Sequence, residues 1–160
     1  MKFGIDRLLH QPELRRSLAG CRVALLAHPA SVTDDLTHSL DALARLPEIQ
    51  LAAAFGPQHG LRGDKQDNMV ESPDFNDPEL GIPVFSLYGE VRRPTPAMID
   101  SFDVLLVDLQ DLGCRIYTFI TTLRYVCLLY TSDAADDEYN VLVSVGGGAC
   151  RWGGGGGGGG

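Results

Sequence analysis

The sequence predicts an α/β layered fold, in which helices cover both faces of a mostly parallel sheet. Two observations support this prediction. Apolar runs of strand length, such as those within residues 22–27 and 103–107, are continuous rather than alternating, which is typical of strands buried on both faces. Segments with helical spacing of apolar residues separate these runs, so helices can connect consecutive strands and let them run parallel.

The first part of the chain is predicted to contain three helices and one strand. Pro12 is favourable in the first turn of a helix, and apolar residues recur at helical spacing after Asp34, where Thr33 or Asp34 is the predicted N-cap. The predicted helices span residues 4–9, 12–18 and 34–46, and the strand between them spans residues 22–27.

The second part is predicted to contain three more strands and a short helix. The strands, at residues 49–55, 83–87 and 103–107, have the length and the apolar content of buried strands. Pro96 begins the short helix, which extends to Ser101. For residues 114–126 the periodicity fits a strand as well as a helix, so both interpretations stay open.

Charge and cysteine content exclude several classes of protein. Residues 1–126 carry 12 Lys and Arg against 17 Asp and Glu, a net charge of −5, whereas a general nucleic-acid surface requires a basic patch. Cys21 and Cys114 lie in apolar runs and predict buried free thiols in a reducing compartment. No signal-peptide pattern follows Met1 and no apolar stretch has the length of a membrane span. We therefore expect a cytoplasmic protein that binds neither nucleic acid nor membranes.

Residues 127–160 are predicted to lie outside the folded domain. The ten residues 127–136 (CLLYTSDAAD) resemble a translated sequencing adapter, and residues 153–160 are eight consecutive glycines, which have no side chains to bury. We therefore expect residues 1–126 to be the informative part of a truncated reading frame, and residues 127–160 to lack ordered structure.

Polar loops are predicted to meet at one edge of the sheet. In parallel sheets the ligand crevice lies beyond the carboxyl ends of the strands. The segments that follow predicted strands there are residues 28–31, 56–67 and 108–115. The functional site is therefore expected at this edge, with His28 as one of its residues. A hydrogen-bonded residue of this edge that contacts no ligand is the alternative interpretation of His28.

The segment FGPQHGLRGDKQDN, at residues 55–68, has more hydrogen-bonding side chains than a plain connection needs. Its glycines permit sharp turns and the close approach of a ligand. His59 can exchange a proton near neutral pH, Gln58 can only form hydrogen bonds, and Arg62 can hold a carboxylate or phosphate through two contacts. A surface loop whose polar groups face water is the alternative interpretation.

The segment after the last predicted strand combines Asp108 and Asp111 with Arg115 and Tyr117. Its carboxylates can bind a cation, hold sugar hydroxyls, or act as acid and base when burial raises one pKa. Capping of the next segment and pairing with Arg115 is the alternative. Glu71 is a further carboxylate near the glycine-rich loop, and a solvated loop residue is its alternative interpretation.

Familiar motifs for metals and nucleotides do not occur in the sequence. The spacing of the histidines and cysteines matches no metal site, and the sequence contains no GxSxG, P-loop or GxGxxG motif. The sequence therefore predicts no metal and no cofactor.

Four ordered motifs resemble the exo-β-N-acetylmuramidase family of glycoside hydrolases, formerly a domain of unknown function. They are FGPQHGLRG at 55–63, GIPVFSLYG at 81–89, RRPTPAMI at 92–99 and DVLLVDLQDLGCRIYTFITTL at 103–123, and the resemblance covers almost all of residues 4–126. It implies that residues 1–126 form a Rossmann-like N-terminal domain without a nucleotide, and that the smaller C-terminal domain of the family is missing. It also implies release of N-acetylmuramic acid from the non-reducing ends of peptidoglycan fragments, with a peptidoglycan-derived sugar or muropeptide as partner.

The resemblance includes one departure. The family's loop usually reads Pro-Glu-His-Gly, and Gln58 replaces the glutamate that is the leading catalytic candidate of the family. A glycosidase generally needs a carboxylic acid to protonate the leaving oxygen, so Glu71 or Asp111 would take that role. A non-catalytic muropeptide-binding or sugar-binding domain and an inactive fragment are the alternatives that Gln58 leaves open.

The resemblance implies two sets of site residues. Arg62 or Arg115 gives the lactyl carboxylate of muramic acid a cationic partner. The catalytic set is Gln58, His59, Glu71, Asp111 and Tyr117, and the substrate-binding set is His28, Arg62, Asp108, Gln110 and Arg115.

Overall fold

The computed structural model describes residues 3–63, 71, 73–110, 118–133, 140–145 and 148–152, with side chains up to residue 128. The helices are α1 (Gly4–His10), α2 (Pro12–Arg16), α3 (Ser39–Ala44), α4 (Pro96–Ile99) and α5 (Phe119–Asp133). The strands are β1 (Arg22–Ala27), β2 (Gln50–Gly56), β3 (Phe75–Asn76), β4 (Pro83–Ser86), β5 (Val104–Asp108), β6 (Asn140–Val145) and β7 (Gly148–Trp152).

The described strands form one seven-stranded sheet with the order β3-β4-β2-β1-β5-β6-β7. The strands from β4 to β6 in this order pair in parallel, and β3 and β7 add an antiparallel strand at each edge. The predicted α/β class with a mostly parallel sheet is therefore confirmed.

Helices cover both faces of the sheet, as predicted. Val23 and Leu25 of β1 pack in one apolar cluster with residues of α1 and α3. Ala24 and Leu26, the alternate residues of the same strand, pack in a second cluster with residues of α4 and α5. Both faces of β1 are thus buried, which explains why its sequence shows no polar alternation.

The predicted start of the third helix at Asp34 is wrong, because α3 begins at Ser39. Residues 33–37 instead form a tight turn closed by a bridge between Val32 and His38. Leu36 lies in this turn with a φ of 65° and is 80% exposed.

Local side-chain hydrogen bonds explain this difference. The Thr33 hydroxyl donates to the Asp35 carboxylate and accepts from the Thr37 amide at 3.1 Å. Such bonds offer the backbone an alternative to the first helical turn. The N-cap of α3 is His38, whose Nδ1 accepts from the Leu40 amide at 3.3 Å.

The remaining elements differ from the predictions in small ways. For residues 114–126, which fitted a strand as well as a helix, residues 119–126 are helical as part of α5. Residues 114–117, which include Cys114, lie outside the described residues. β3 was not predicted, since its two residues are too few for a pattern. Cys21 is half-buried and carries a free thiol.

Residues 127–160, for which the sequence predicted no ordered structure, contain the end of α5 and the strands β6 and β7. β6 pairs in parallel with β5 and antiparallel with β7. The boundary of the domain at residue 126 remains a prediction. None of the helices in the described part of the chain is long and apolar enough to cross a membrane.

Candidate functional site

The carboxyl ends of β1, β2, β4 and β5 meet at one edge of the sheet because these strands run parallel. The described residues that follow them are 28–38, 57–63, 87–95, 109–110 and 118. We call this edge, with these segments, the carboxyl rim. It is the edge at which the sequence predicted a site.

Residues 57–63 turn back onto the end of β2. The Gly60 amide donates to the carbonyl oxygen of Pro57 at 3.0 Å, and φ is positive at both His59 (73°) and Gly60 (77°). Glycine adopts such angles without strain, and histidine tolerates them better than most residues. A Cβ on Gly56 would lie 2.8 Å from the amide nitrogen of Leu61. The glycines thus allow the sharp turn that the sequence predicted, and the close approach of a ligand remains a prediction.

The side chain of Gln58 contacts the segment that begins α5. The Thr118 hydroxyl donates to Gln58 Oε1 at 3.0 Å, although the two residues are 60 positions apart in the sequence. Gln58 and Thr118 are both half-buried. The structure therefore joins the glycine-rich loop directly to the segment after β5.

His28, which directly follows β1, is buried and neutral. Its Nε2 accepts from the Gln110 amide at 2.9 Å, and its ring lies 4.7 Å from that of Phe119. Burial, with a smaller effect from His38, lowers the pKa of His28 from 6.5 to about 4. The structure thus brings together His28 and Gln110, both predicted to bind substrate, and gives each a partner within the protein.

Asp108, at the end of β5, is tied to the opening of α3. The Ser39 hydroxyl donates to Asp108 Oδ2, and the Ser31 hydroxyl donates to the backbone carbonyl oxygen of Asp108. Both serines are fully buried. Burial raises the pKa of Asp108, and the hydrogen bond from Ser39 opposes this effect. The result is a carboxyl group at the rim that takes up a proton more readily than a solvated aspartate.

We predict that Ser39→Ala lowers the free energy of unfolding by about 1–2 kcal/mol, because it removes a donor from a buried carboxyl group. It should also raise the pKa of Asp108 further. Urea denaturation at pH 7 measures the first effect, and a carbon-13 NMR titration of Asp108 measures the second.

Ser17→Ala provides the matched control. The Ser17 hydroxyl also donates one hydrogen bond, to the carbonyl oxygen of Leu14 at 2.6 Å, but this residue is exposed. Its removal should cost less than about 0.5 kcal/mol. Equal losses in the two variants would contradict the role assigned to burial of Asp108.

Arg62 holds carboxylates of the protein itself. Its guanidinium makes two hydrogen bonds to Asp41, at 2.9 and 2.6 Å, and lies 3.7 Å from Asp77. The hydrogen bonds from Arg62 lower the pKa of Asp41. An open cleft of about 700 Å³ lies beside this cluster and is also lined by Phe75 and Glu79. Arg62 thus anchors the end of the glycine-rich loop to α3, and its binding of substrate remains a prediction.

The other predicted residues are placed less fully. The described residue Glu71 is exposed, and His59 is half-buried at the tip of its turn. Asp111, Arg115 and Tyr117 lie outside the described residues, so their roles remain predictions.

Sequence reasoning missed four polar residues that connect the rim: Ser31, His38, Ser39 and Thr118. His38 is one example, since its Nε2 lies 3.2 Å from the carbonyl oxygen of His28 and 3.1 Å from that of Leu61. It therefore links two of the rim segments. Capping chemistry gave no signal for Ser39, because it is the first residue of α3 and its hydroxyl bonds to Asp108, 69 positions later, rather than to the helix.

The chain matches the family model described as "Exo-beta-N-acetylmuramidase NamZ, N-terminal" over residues 23–143. It is 45% identical over 125 residues to the peptidoglycan beta-N-acetylmuramidase NamZ of Bacillus subtilis (strain 168). That match covers 78% of this chain and 30% of the relative. The chain thus spans less than a third of the length of that protein.

Two crystal structures of DUF1343 family proteins from Bacteroides fragilis NCTC 9343 are similar to this fold. One has a TM-score of 0.72 and 38% sequence identity, and the other has a TM-score of 0.63 and 26% identity. Each match covers 89% of this chain and 34% of the other chain. The family match includes β2 to β5 and all of β1 except Arg22, and therefore the whole carboxyl rim.

Proposed function

We propose, because this chain belongs to the family of exo-beta-N-acetylmuramidase NamZ N-terminal domains, that its carboxyl rim binds the terminal N-acetylmuramic acid of peptidoglycan fragments and contributes to the hydrolytic release of that sugar. The observation that carries the proposal is the turn after β2, which presents Gln58 and His59 at the edge shared with His28 and Asp108. Ligands of parallel sheets bind at this edge. A cytoplasmic location and a muropeptide as substrate belong to the same proposal.

The chemistry assigned to the rim follows from its titratable groups. A glycosidase uses one protonated carboxyl group to protonate the leaving oxygen and a second carboxylate as base or nucleophile. Gln58 supplies neither, since an amide does not titrate in this range. Burial raises the pKa of Asp108, and a raised pKa suits a general acid. We assign the acid to Asp108 or Asp111, with Glu71 as the further candidate, while Gln58 and His59 orient the sugar.

A non-catalytic muropeptide-binding domain is the second candidate, and Gln58 is the observation that favours it. An amide keeps the shape of a glutamate side chain and one acceptor oxygen, but it cannot ionise or donate a proton to a leaving group. Such a domain would bind the same sugar and release none of it.

The substitution Gln58→Glu distinguishes the two candidates. We expect the native chain to release the chromophore slowly from a chromogenic N-acetylmuramic acid glycoside. The variant should release it at least about 100-fold faster, because it adds a positioned carboxylate. Release by neither protein, with binding of the disaccharide retained in calorimetry, would favour the second candidate. Absence of both release and binding would contradict both.

Gln50→Glu is the matched control for added charge. Gln50 is exposed at the opposite end of β2, so its replacement adds the same carboxylate far from the rim. The rate of release should stay within about twofold of the native rate, since surface substitutions away from a site have small effects. An equal gain in both variants would count against a role for position 58.

A further inference from the structure

We propose that Thr118 is a positioning residue, which fixes the side-chain amide of Gln58 with its oxygen toward α5 and its nitrogen toward the carboxyl rim. The Thr118 hydroxyl donates to Gln58 Oε1 at 3.0 Å. The orientation follows from this contact alone, whereas the identity of the ligand that meets the nitrogen rests on the proposed function.

Thr118 is itself held in place by its own backbone and its neighbours. Its carbonyl oxygen accepts from the amide of Thr122 at 3.0 Å and from the Thr122 hydroxyl at 3.2 Å. Thr122 is buried, and so is Phe119, whose ring packs against His28. A β-branched side chain has few rotamers, so the direction of the Thr118 hydroxyl is well determined.

The surroundings favour the oxygen of Gln58 over its nitrogen at this contact. Thr118 directly precedes the 15-residue helix α5. The first backbone N–H groups of a helix point outward beyond its N-terminus, which is also the positive end of the helix dipole. An acceptor oxygen is therefore stabilised beside Thr118, and the amide nitrogen turns away from it.

No partner among the described residues binds Gln58 Nε2, so its two N–H groups can donate to a ligand. They would donate to an acceptor atom, such as a hydroxyl oxygen, the acetamido carbonyl oxygen or the lactyl carboxylate of a muramic acid. Position 58 in this chain thus acts as a hydrogen-bond donor, a role that a carboxylate cannot take. Thr118 determines this polarity without touching the ligand.

The same contact can be detected without any ligand, through the carboxyl group that Gln58→Glu introduces. A hydrogen bond from Thr118 to this carboxyl group favours its ionised form and lowers its pKa. The described rim also contains other titratable groups, among them His28 after β1, His59 in the same turn and Asp108 at the end of β5, and the variants compared below leave all of them unchanged. The first turns of α5 contain no titratable side chain up to Leu123.

The experiment measures that pKa by carbon-13 NMR in three proteins: Gln58→Glu alone, with Thr118→Val and with Thr118→Ser. Valine has the shape of threonine without the donor, and serine keeps the donor. We expect Thr118→Val to raise the pKa by about one unit and Thr118→Ser to leave it within a few tenths of a unit. Equal values in all three proteins would overturn the proposal. Circular dichroism checks that each variant is folded.

A second measurement tests the consequence for binding, with Gln58 unchanged. Calorimetry with the N-acetylmuramic acid–N-acetylglucosamine disaccharide should show about tenfold weaker binding for Thr118→Val and native binding for Thr118→Ser. Equal binding by native protein and Thr118→Val would overturn the role of Thr118 in presenting Gln58. If the pKa shifts as expected but the native protein binds no sugar, the positioning by Thr118 stands and the proposed function fails.

Discussion

Gly56→Ala is expected to lower the free energy of unfolding by about 3 kcal/mol and to displace the turn that carries Gln58 and His59. A Cβ at this position would lie 2.8 Å from the amide nitrogen of Leu61 and 3.1 Å from the carbonyl carbon of Gly60. Both are backbone atoms, so no side chain can rotate away and the turn itself has to move. Denaturation in urea measures the loss of stability, and calorimetry with the disaccharide measures the displacement.

Gly20→Ala is the matched control for this substitution. Gly20 has a φ of 79°, and a Cβ there meets nothing within 4 Å. Its replacement should therefore cost about 1–2 kcal/mol of backbone strain. It should leave sugar binding unchanged, since Gly20 lies before the amino end of β1, at the opposite end of the strand from the carboxyl rim. If Gly20→Ala weakened sugar binding as much as Gly56→Ala, displacement of the turn would not be the cause.

Acidification from pH 7 to pH 4 is expected to remove on the order of 3 kcal/mol of stability through His28 alone. Burial lowers the pKa of His28 from 6.5 to about 4 in the folded protein. As the pH falls below 6.5, the unfolded chain therefore takes up a proton that the folded protein does not, and unfolding becomes easier. His28→Gln keeps an acceptor for the Gln110 amide and cannot titrate. The unfolding free energy of the native protein minus that of the variant should therefore decrease as the pH falls from 7 to 4.

We compare native protein and variant by this difference because the titration of Asp108 changes stability with pH in the opposite direction. Its pKa is raised in the folded protein, so its contribution favours the folded state at low pH and is lost as the pH rises through the folded pKa. Replacing His28 leaves that contribution in both proteins, where it cancels. His10→Gln, at an exposed position of α1, controls for removal of a histidine. A difference curve that stays flat from pH 7 to pH 4 would refute the assignment to His28.

The strands were predictable because burial on both faces leaves a mark in the sequence. The bounds of β1 match the prediction, and β2, β4 and β5 differ from it by one residue at their ends. The start of α3 was not predictable from periodicity, since Leu36 continues the apolar spacing of Leu40 and Leu43 although it lies in an exposed turn. Hydrogen bonds of the Thr33 side chain decided the outcome there.

The candidate site was predictable as an edge but not as a set of contacts. Parallel strand order places the loops after β1, β2 and β5 together, and this needs only the pattern of strands. The contacts of His28 with Gln110 and of Gln58 with Thr118 join residues 82 and 60 positions apart. No local pattern encodes such pairs. Polarity alone did not indicate that the His28 ring, the backbone amide of Gln110 and the Gln58 side chain have partners within the protein.

The central position of β1 has a consequence for the synthesis of this chain. Arg22 at the start of β1 bonds to Asp103, 81 residues later, and β5 follows that residue directly. At about 5–20 residues per second, the ribosome needs roughly 4–16 seconds to make the chain between them. Once β2 has paired with one side of β1, the other side keeps unpaired backbone N–H and C=O groups until β5 is made. A ribosome stalled before residue 104 would hold that edge open, and we expect aggregation of the nascent chain to begin there.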